Sequence, residues 1–252
     1  MRLSPAEQLL QELGVTDPAE IDLEAIAFYK KAQVRFRPLD GCEARIIGTT
    51  ERAIITVNRD SQRRRRRFSI AHELGHWHHH RGHCLACRVD EYRPKVGASS
   101  ERTADSYAAD LLMPNYLFRP LARMQKKMNF ATIKTLADVF DASQTATAIR
   151  LIESDHTPSM LVCHGKKGRK WFVRSPSVPD RWFPQEDLDA ESYAFGVQFG
   201  TDLDNPFLRK IGADAWFDRI EADRFEIQEQ TVRVGPEETL TLLVFLDDEM
   251  LE

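Results

Sequence analysis

The chain has 252 residues, of which 42% are hydrophobic and 29% are charged, and its formal net charge is −4 at pH 7. This composition is typical of a globular protein with one large or two small domains, and the net charge excludes a general affinity for nucleic acid. Four scattered cysteines, no secretory leader and no apolar run of roughly 18 residues exclude a disulfide scaffold and a membrane span, so we expect a cytoplasmic location.

The first predicted elements are two helices followed by a small antiparallel sheet. Ser4, Pro5 and Glu7 form a capping-box pattern that starts the first helix, and an amphipathic stretch over residues 17–33 predicts the second. Three β-like runs follow, separated by short turns, at residues 34–38, 44–47 and 53–57. We expect these runs to pair antiparallel and to pack on the next helix.

Five consecutive arginines at residues 63–67 lie directly before an apolar helical segment. Such a run can attract an acidic protein segment or nucleic-acid phosphate. The interpretation that we prefer is a solvated first helical turn, with Asp60 or Ser61 as the cap. Because positive charge is unfavourable at a helix N-terminus, this interpretation requires an acidic partner nearby, above all for Arg67.

The same helix carries an H-E-x-x-H motif at His72, Glu73 and His76. Residues four apart lie on one face of a helix, so both imidazoles can reach one divalent ion. Glu73 lies beside them, where it can accept a proton from water polarised by the metal. Gly75 costs about 1 kcal/mol relative to alanine inside a helix, so we expect another segment to pack against the backbone there.

A zinc site needs a third protein ligand, and the next predicted helix supplies candidates. Glu101 and Asp105 lie four residues apart and therefore on one helical face. We predict that Glu101 binds the metal and that Asp105 holds the far ring nitrogen of a ligand histidine. The alternative is that both acids are ordinary solvated groups at a helix start, where the helix dipole favours them.

Between these two helices lies a second group of possible metal ligands: His78, His79, His80, His83, Cys84 and Cys87. A second zinc bound by Cys84, Cys87 and two histidines is conceivable, but the spacing defines only two ligands, so we favour one metal per chain. Tyr92 and Arg93 in the following loop are candidates for stabilising the oxyanion on an attacked carbonyl. Tyr107 is a further candidate, but core packing is the better interpretation for it.

Together the two helical motifs resemble those of the ImmA/IrrE metallopeptidases, a group within the gluzincins. The resemblance consists of H-E-L-G-H at residues 72–76 and a match to E-x-x-A-[DN]-x-[FY]-A-A-x-L-L-M-P from Glu101 to Pro114. It is most specific over residues 67–114 and extends more loosely from about residue 20 to 155. The resemblance implies a zinc-dependent endopeptidase that acts in stress or mobile-element regulation on a specific protein, in several members a helix-turn-helix repressor.

Beyond Pro114 the pattern is helical, and helices at residues 131–140 and 143–152 are joined in the manner of a helix-turn-helix. The second of these helices has few basic or amide groups, so we expect no direct DNA binding and interpret the pair as a packing module, one that also helps to dock a repressor. The pattern then becomes β-rich and contains no catalytic constellation. Cys163 and His164 are predicted core residues of a strand there, and we interpret this last part as a specificity module.

The predicted fold is α+β, with three parts: a zincin-like metallopeptidase domain at residues 1–116, a helix-turn-helix-like segment at 117–157 and a β-rich accessory domain at 158–252. The expected activity is that of a zinc endopeptidase with His72, His76 and Glu101 as ligands of one Zn²⁺, or of another divalent metal such as Mn²⁺, and Glu73 as the general base. The expected partner is a protein substrate. The alternative is a non-catalytic regulator that binds a repressor, an antitoxin or DNA.

Overall fold

The computed structural model of the chain describes residues 2–81, 99–200, 204 and 207–252. The chain divides into two compact units. Unit 1 contains Met1–Leu121 and Thr135–Thr147, and unit 2 contains Ala122–Lys134 and Ala148–Glu252. The division into three parts made from the sequence stays a prediction. None of the helices in the described ranges has both the length and the apolar composition needed to cross a membrane.

Unit 1 is built from helices around a three-stranded sheet. Its elements are α1 (Pro5–Glu12), α2 (Leu23–Tyr29), β1 (Ala32–Arg37), β2 (Ala44–Gly48), β3 (Ala53–Asn58), α3 (Arg63–His79), α4 (Ser99–Leu112) and most of α5 (Asn115–Arg123). Two further helices, α6 (Phe130–Phe140) and α7 (Gln144–Glu153), contribute residues to both units. These two are the helices predicted on either side of the turn at Asp141, which adopts a positive φ of 48°.

The N-terminal helices follow local sequence signals in part. Ser4 and Glu7 form the predicted capping box of α1. The single helix predicted over residues 17–33 is wrong, because Asp22 caps a new helix at α2 through the backbone N–H groups of residues 24 and 25. Lys31, with a φ of 62°, then ends the helical path, and the chain enters β1 at the next residue. Helical periodicity alone did not separate these elements.

The sheet of unit 1 is mixed, which corrects the antiparallel sheet predicted from the sequence. β3 lies in the centre, with β2 antiparallel on one side and β1 parallel on the other. Only β2 and β3 form a hairpin, because the connection at residues 38–43 carries the chain past the end of β3 before β2 begins. Alternating patterns identify strands but do not identify their neighbours. The inner face of the sheet packs on α3.

The arginine run forms the first turns of α3. The predicted caps are wrong: Gln62 is the N-cap, it makes no side-chain capping bond, and the Ser61 hydroxyl donates to Glu43 instead. The expected acidic partners are present, because Arg63 lies 2.6 Å and Arg67 lies 3.5 Å from the same carboxylate oxygen of Asp141. Arg64 makes a third ion pair, with Asp138, at 2.5 Å. These carboxylates offset the positive charge at the helix N-terminus.

Unit 2 contains a five-stranded antiparallel sheet in the order β5-β4-β8-β7-β6. Its strands and its helix are β4 (Ser159–Gly165), β5 (Gly168–Arg174), α8 (Tyr193–Phe199), β6 (Arg209–Gly212), β7 (Glu226–Gly235) and β8 (Glu238–Phe245). Trp182, Trp216 and Phe245 belong to its hydrophobic core. Cys163 and His164 on β4 are buried, as the sequence predicted. Burial also raises the pKa of the Glu229 carboxylate, which accepts a hydrogen bond from the indole N–H of Trp216.

Candidate metal centre

Three side chains from α3 and α4 converge on one point. The Nε2 atoms of His72 and His76 lie 3.0 Å apart, and the Glu101 carboxylate lies 3.3 Å from the first and 3.4 Å from the second. One ligand atom from each residue lies within 4.8 Å of the others, and both histidines are buried. The structure therefore brings together the two imidazoles and the carboxylate that the sequence selected.

Gly75 explains why the two helices approach so closely. A Cβ atom added at this residue would lie 2.9 Å from the Cα and the carbonyl oxygen of Ala104, and 3.1 Å from the Cβ of Tyr107. The contact that the sequence required at Gly75 is thus the backbone of α4. Because Glu101 lies three residues before Ala104, this contact places the carboxylate next to the two imidazoles.

Replacing Gly75 with alanine is expected to destabilise unit 1 by about 1–3 kcal/mol, because the new methyl group forces α4 away from α3. The metal affinity is expected to fall as well, since Glu101 moves with α4. Denaturant unfolding and metal titration of the variant measure the two effects. A gain of about 1 kcal/mol in the free energy of unfolding, which is the gain in helix propensity alone, would contradict the close approach.

Glu73 lies within this site and is fully buried. Neither of its carboxylate oxygens has a hydrogen-bond partner among the described residues. Burial raises the pKa of Glu73 to about 8; the charge of His72 opposes this shift and the charge of Glu101 adds to it. A buried acceptor without a partner costs free energy, and such groups are found where a site performs chemistry or holds an ion.

Asp105 fixes the orientation of His72. The Nδ1 atom of His72 lies 2.9 Å from a carboxylate oxygen of Asp105, and because a carboxylate can only accept, Nδ1 carries the proton. The lone pair of Nε2 in the neutral ring then faces Glu101 and His76. Burial disfavours a charge on His72, but the hydrogen bond and charge of Asp105 outweigh it, so the net effect raises the pKa of His72.

His76 has the opposite balance. Burial, together with the charges of the neighbouring His72, His80 and His79, lowers the pKa of His76 to about 3. The ring is therefore neutral near pH 7 and has a lone pair available to a cation. When both rings are neutral, the imidazoles of His72 and His76 and the carboxylate of Glu101 form a donor set that divalent zinc prefers in catalytic sites.

The remaining predicted site residues either lie outside the described residues or have another role. Tyr92 and Arg93, as well as the possible second-metal ligands Cys84 and Cys87, lie outside the described residues, so their roles stay predictions. Tyr107 is buried and stacks on His78 with the ring centroids 5.1 Å apart, and burial raises its pKa to about 12. Tyr107 is thus a packing residue of α4. Sequence reasoning missed its stacking on His78, because helical periodicity assigns faces but does not pair them.

The chain is similar to a known family in sequence and to a solved structure in fold. Residues 29–151 match the family model described as Peptidase_M78: IrrE N-terminal-like domain. The structure is similar to that of a Mycobacterium tuberculosis transcriptional regulator, with a TM-score of 0.62 and 14% sequence identity, over 95% of this chain and 75% of that chain. A search of curated proteins gives no match. The matched residues 29–151 contain every member of the cluster on α3 and α4, and the predicted α+β fold class is confirmed.

Proposed function

Because the chain belongs, over residues 29–151, to the IrrE N-terminal-like family of peptidases, we propose that it is a metal-dependent endopeptidase with its active site on α3 and α4. The observation that carries the proposal is the convergence of His72, His76 and Glu101 on one point, with the buried carboxylate of Glu73 beside them. This set contains both the ligands and the proton acceptor that metal-assisted hydrolysis requires.

The residues present fit a zinc ion. The two Nε2 atoms are 3.0 Å apart, and the Glu101 carboxylate lies close to both, so their lone pairs and negative charge repel unless a cation or a proton compensates them. Asp105 holds His72 in the tautomer that a metal ligand needs. His72, His76 and Glu101 would hold one Zn²⁺. Another divalent ion such as Mn²⁺ would bind to the same donors with lower affinity.

Peptide-bond hydrolysis at this site divides into steps that the side chains of the chain perform. When bound, the ion supplies Lewis-acid chemistry, which polarises the scissile carbonyl and lowers the pKa of water toward about 7. Glu73 accepts the proton of the attacking water at a carboxylate oxygen and later donates it to the nitrogen of the leaving amine. Asp105 keeps the ring of His72 oriented throughout. The burial of Glu73 excludes competing solvent from its carboxylate.

The proposed substrate is a helix-turn-helix transcriptional repressor. The resemblance to the ImmA/IrrE peptidases supports this choice. A protein of similar fold is described as a transcriptional regulator, and the second candidate function is a regulator that binds a repressor or antitoxin without cutting it. The presence of both the candidate general base, Glu73, and the candidate metal ligands supports the peptidase instead.

Incubation with repressors separates the two functions. The zinc-loaded chain is mixed with purified helix-turn-helix repressors from the same genome, and their intact masses are measured by mass spectrometry. We expect one repressor to be shortened by a cut at a single bond, and we expect a chelator of divalent metal to prevent the cut because the ligands lose their ion. A repressor that forms a stable complex yet keeps its full mass would favour the non-catalytic regulator. Repressors that are neither cut nor bound would contradict both functions.

A further inference from the structure

The sheet of unit 1 has a second face, on the side opposite α3, whose side chains are exposed. The inward residues of β3, such as Ala53 and Ile55, are buried, whereas Ile54 between them points outward. The side chains of β1 and β2 also alternate between the buried inner face and the exposed outer face. Arg35 and Arg45 are exposed on the outer face. This face of the sheet is therefore available to a partner, at a place separate from the metal centre.

Two large apolar side chains lie on this outer face, and a third lines a groove together with them. Ile47 on β2 is directly opposite Ile54 on β3, and the two are 57% and 37% exposed. Phe28, at the end of α2, is 79% exposed and lines the same groove, which has a volume of about 990 Å³. Single exposed apolar residues are common on protein surfaces, but a contiguous group around a groove marks an interaction site.

The same groove is positively charged. Lys31 and Arg52 line it, and Glu51 is the acidic residue among its lining residues. Arg45 lies one outward position before Ile47 on β2 and extends the positive charge along the sheet. In the described part of the chain, Lys31, Arg45 and Arg52 have no acidic partner at ion-pair distance. Since the whole chain has a formal net charge of −4, this face is a local exception.

We propose that this outer face, formed by Phe28, Lys31, Arg45, Ile47, Arg52 and Ile54, docks an acidic segment of the protein substrate that carries apolar side chains. The cations attract the acidic groups, and the apolar side chains enter the groove and provide the larger part of the affinity. The inference rests on the proposed function, because a surface opposite α3 holds a substrate while leaving the metal centre free to cut it.

A protein segment fits this surface better than nucleic acid does. A phosphate backbone has uniform negative charge and gains nothing from contact with Ile47 and Ile54. An amphipathic acidic peptide uses both kinds of side chain. Its charges meet Lys31 and Arg52, and its apolar residues remove Phe28 and the two isoleucines from water.

Peptide binding tests the proposal without requiring cleavage. The full-length, zinc-loaded chain with Glu73→Gln is titrated into two fluorescein-labelled synthetic peptides, and the fluorescence anisotropy is measured. One peptide contains Asp, Glu, Leu and Ile, and the other has Lys in place of each acid. The affinity for the acidic peptide is expected to be at least about tenfold higher, because only its charge complements the outer face.

Two double variants locate the binding site, and each is expected to weaken binding of the acidic peptide by about tenfold. Arg45→Glu with Arg52→Glu reverses the charge, and Ile47→Thr with Ile54→Thr removes the apolar contact while keeping β-branched residues in the strands. Lys126→Glu with Lys127→Glu makes the same change in net charge on exposed residues of unit 2 and is expected to change the affinity less than twofold. Circular dichroism confirms that each variant is folded.

Several results would overturn the proposal. These are equal binding of both peptides, full affinity in either outer-face variant, or an equal loss of affinity in the Lys126 and Lys127 control. Duplex DNA that binds the native chain and loses affinity with Arg45→Glu and Arg52→Glu would assign the face to nucleic acid. A dimer that both outer-face variants dissociate would assign it to a second copy. The binding experiments use the Glu73→Gln chain and do not depend on cleavage. A negative binding result would therefore contradict the docking surface without contradicting the proposed peptidase activity, which the cleavage of a repressor tests separately.

Discussion

Replacing Glu73 with glutamine is expected to lower the rate of substrate cleavage by about 10²- to 10⁴-fold, which is the contribution typical of a general base. Glutamine has the same shape as glutamate but cannot accept the proton of the attacking water. The three proposed metal ligands are unchanged, so we expect the amount of zinc bound per chain to equal that of the native protein. Cleavage kinetics and elemental analysis of the same preparation measure the two quantities together.

The structure also predicts that this variant stays folded. Neither carboxylate oxygen of Glu73 has a hydrogen-bond partner in the described part of the chain, so the change removes no hydrogen bond. Because burial raises the pKa of Glu73 to about 8, folding near pH 7 requires this carboxylate to take up a proton, whereas glutamine is already neutral. We therefore expect the free energy of unfolding of the metal-free chain to be equal or higher in the variant. Glu24→Gln is the matched control, because Glu24 is exposed on α2. If Glu73→Gln kept most of the native cleavage rate, Glu73 would not be the base.

Replacing Glu101 with alanine is expected to remove most of the bound metal. The two imidazoles that remain provide neither a third donor nor the negative charge that offsets the charge of the ion. The loss of affinity should exceed the roughly 10- to 100-fold effect that is typical when only the hydrogen-bonded partner of a ligand changes. Elemental analysis gives the stoichiometry, and competition with a chelator gives the affinity of each variant.

Asp105→Asn provides the graded comparison. It leaves all three ligands in place and weakens only the hold on the ring of His72, so we expect its metal affinity to fall by the smaller factor, roughly 10- to 100-fold. Metal content and affinity that are unchanged by Glu101→Ala would remove Glu101 from the ligand set. A second zinc that survives Glu101→Ala would instead support the site predicted at Cys84 and Cys87.

The arginine run illustrates which part of the fold could be predicted from the sequence. Charge at a helix N-terminus made an acidic partner of Arg67 a physical requirement. The partner is Asp141, which also binds Arg63 from a position 78 residues away in sequence. The need for a carboxylate is a local property of the helix. Which carboxylate meets it depends on how the turn between α6 and α7 packs, and that information is not local.

The sheet of unit 1 gives the opposite lesson. Three strands were predictable from their alternating residues, but their order and direction were not, because β1 pairs in parallel with β3 rather than with the next strand in sequence. The outer face of the sheet could not be predicted from the sequence for the same reason. Ile47 and Ile54 form a surface only when β2 and β3 are paired in their observed register.

The sequence by itself determined the spacing of the candidate metal site, because the geometry of a helix places His72 and His76 one turn apart, and Glu101 and Asp105 likewise, wherever the helices lie. It also determined that something must approach Gly75. Only the tertiary structure decided that the approaching group is the backbone of α4, and so that the carboxylate of Glu101 meets the two imidazoles. The physical reason is that periodicity arises between neighbours in sequence, whereas the contact of two helices depends on the shapes of surfaces that meet only after folding.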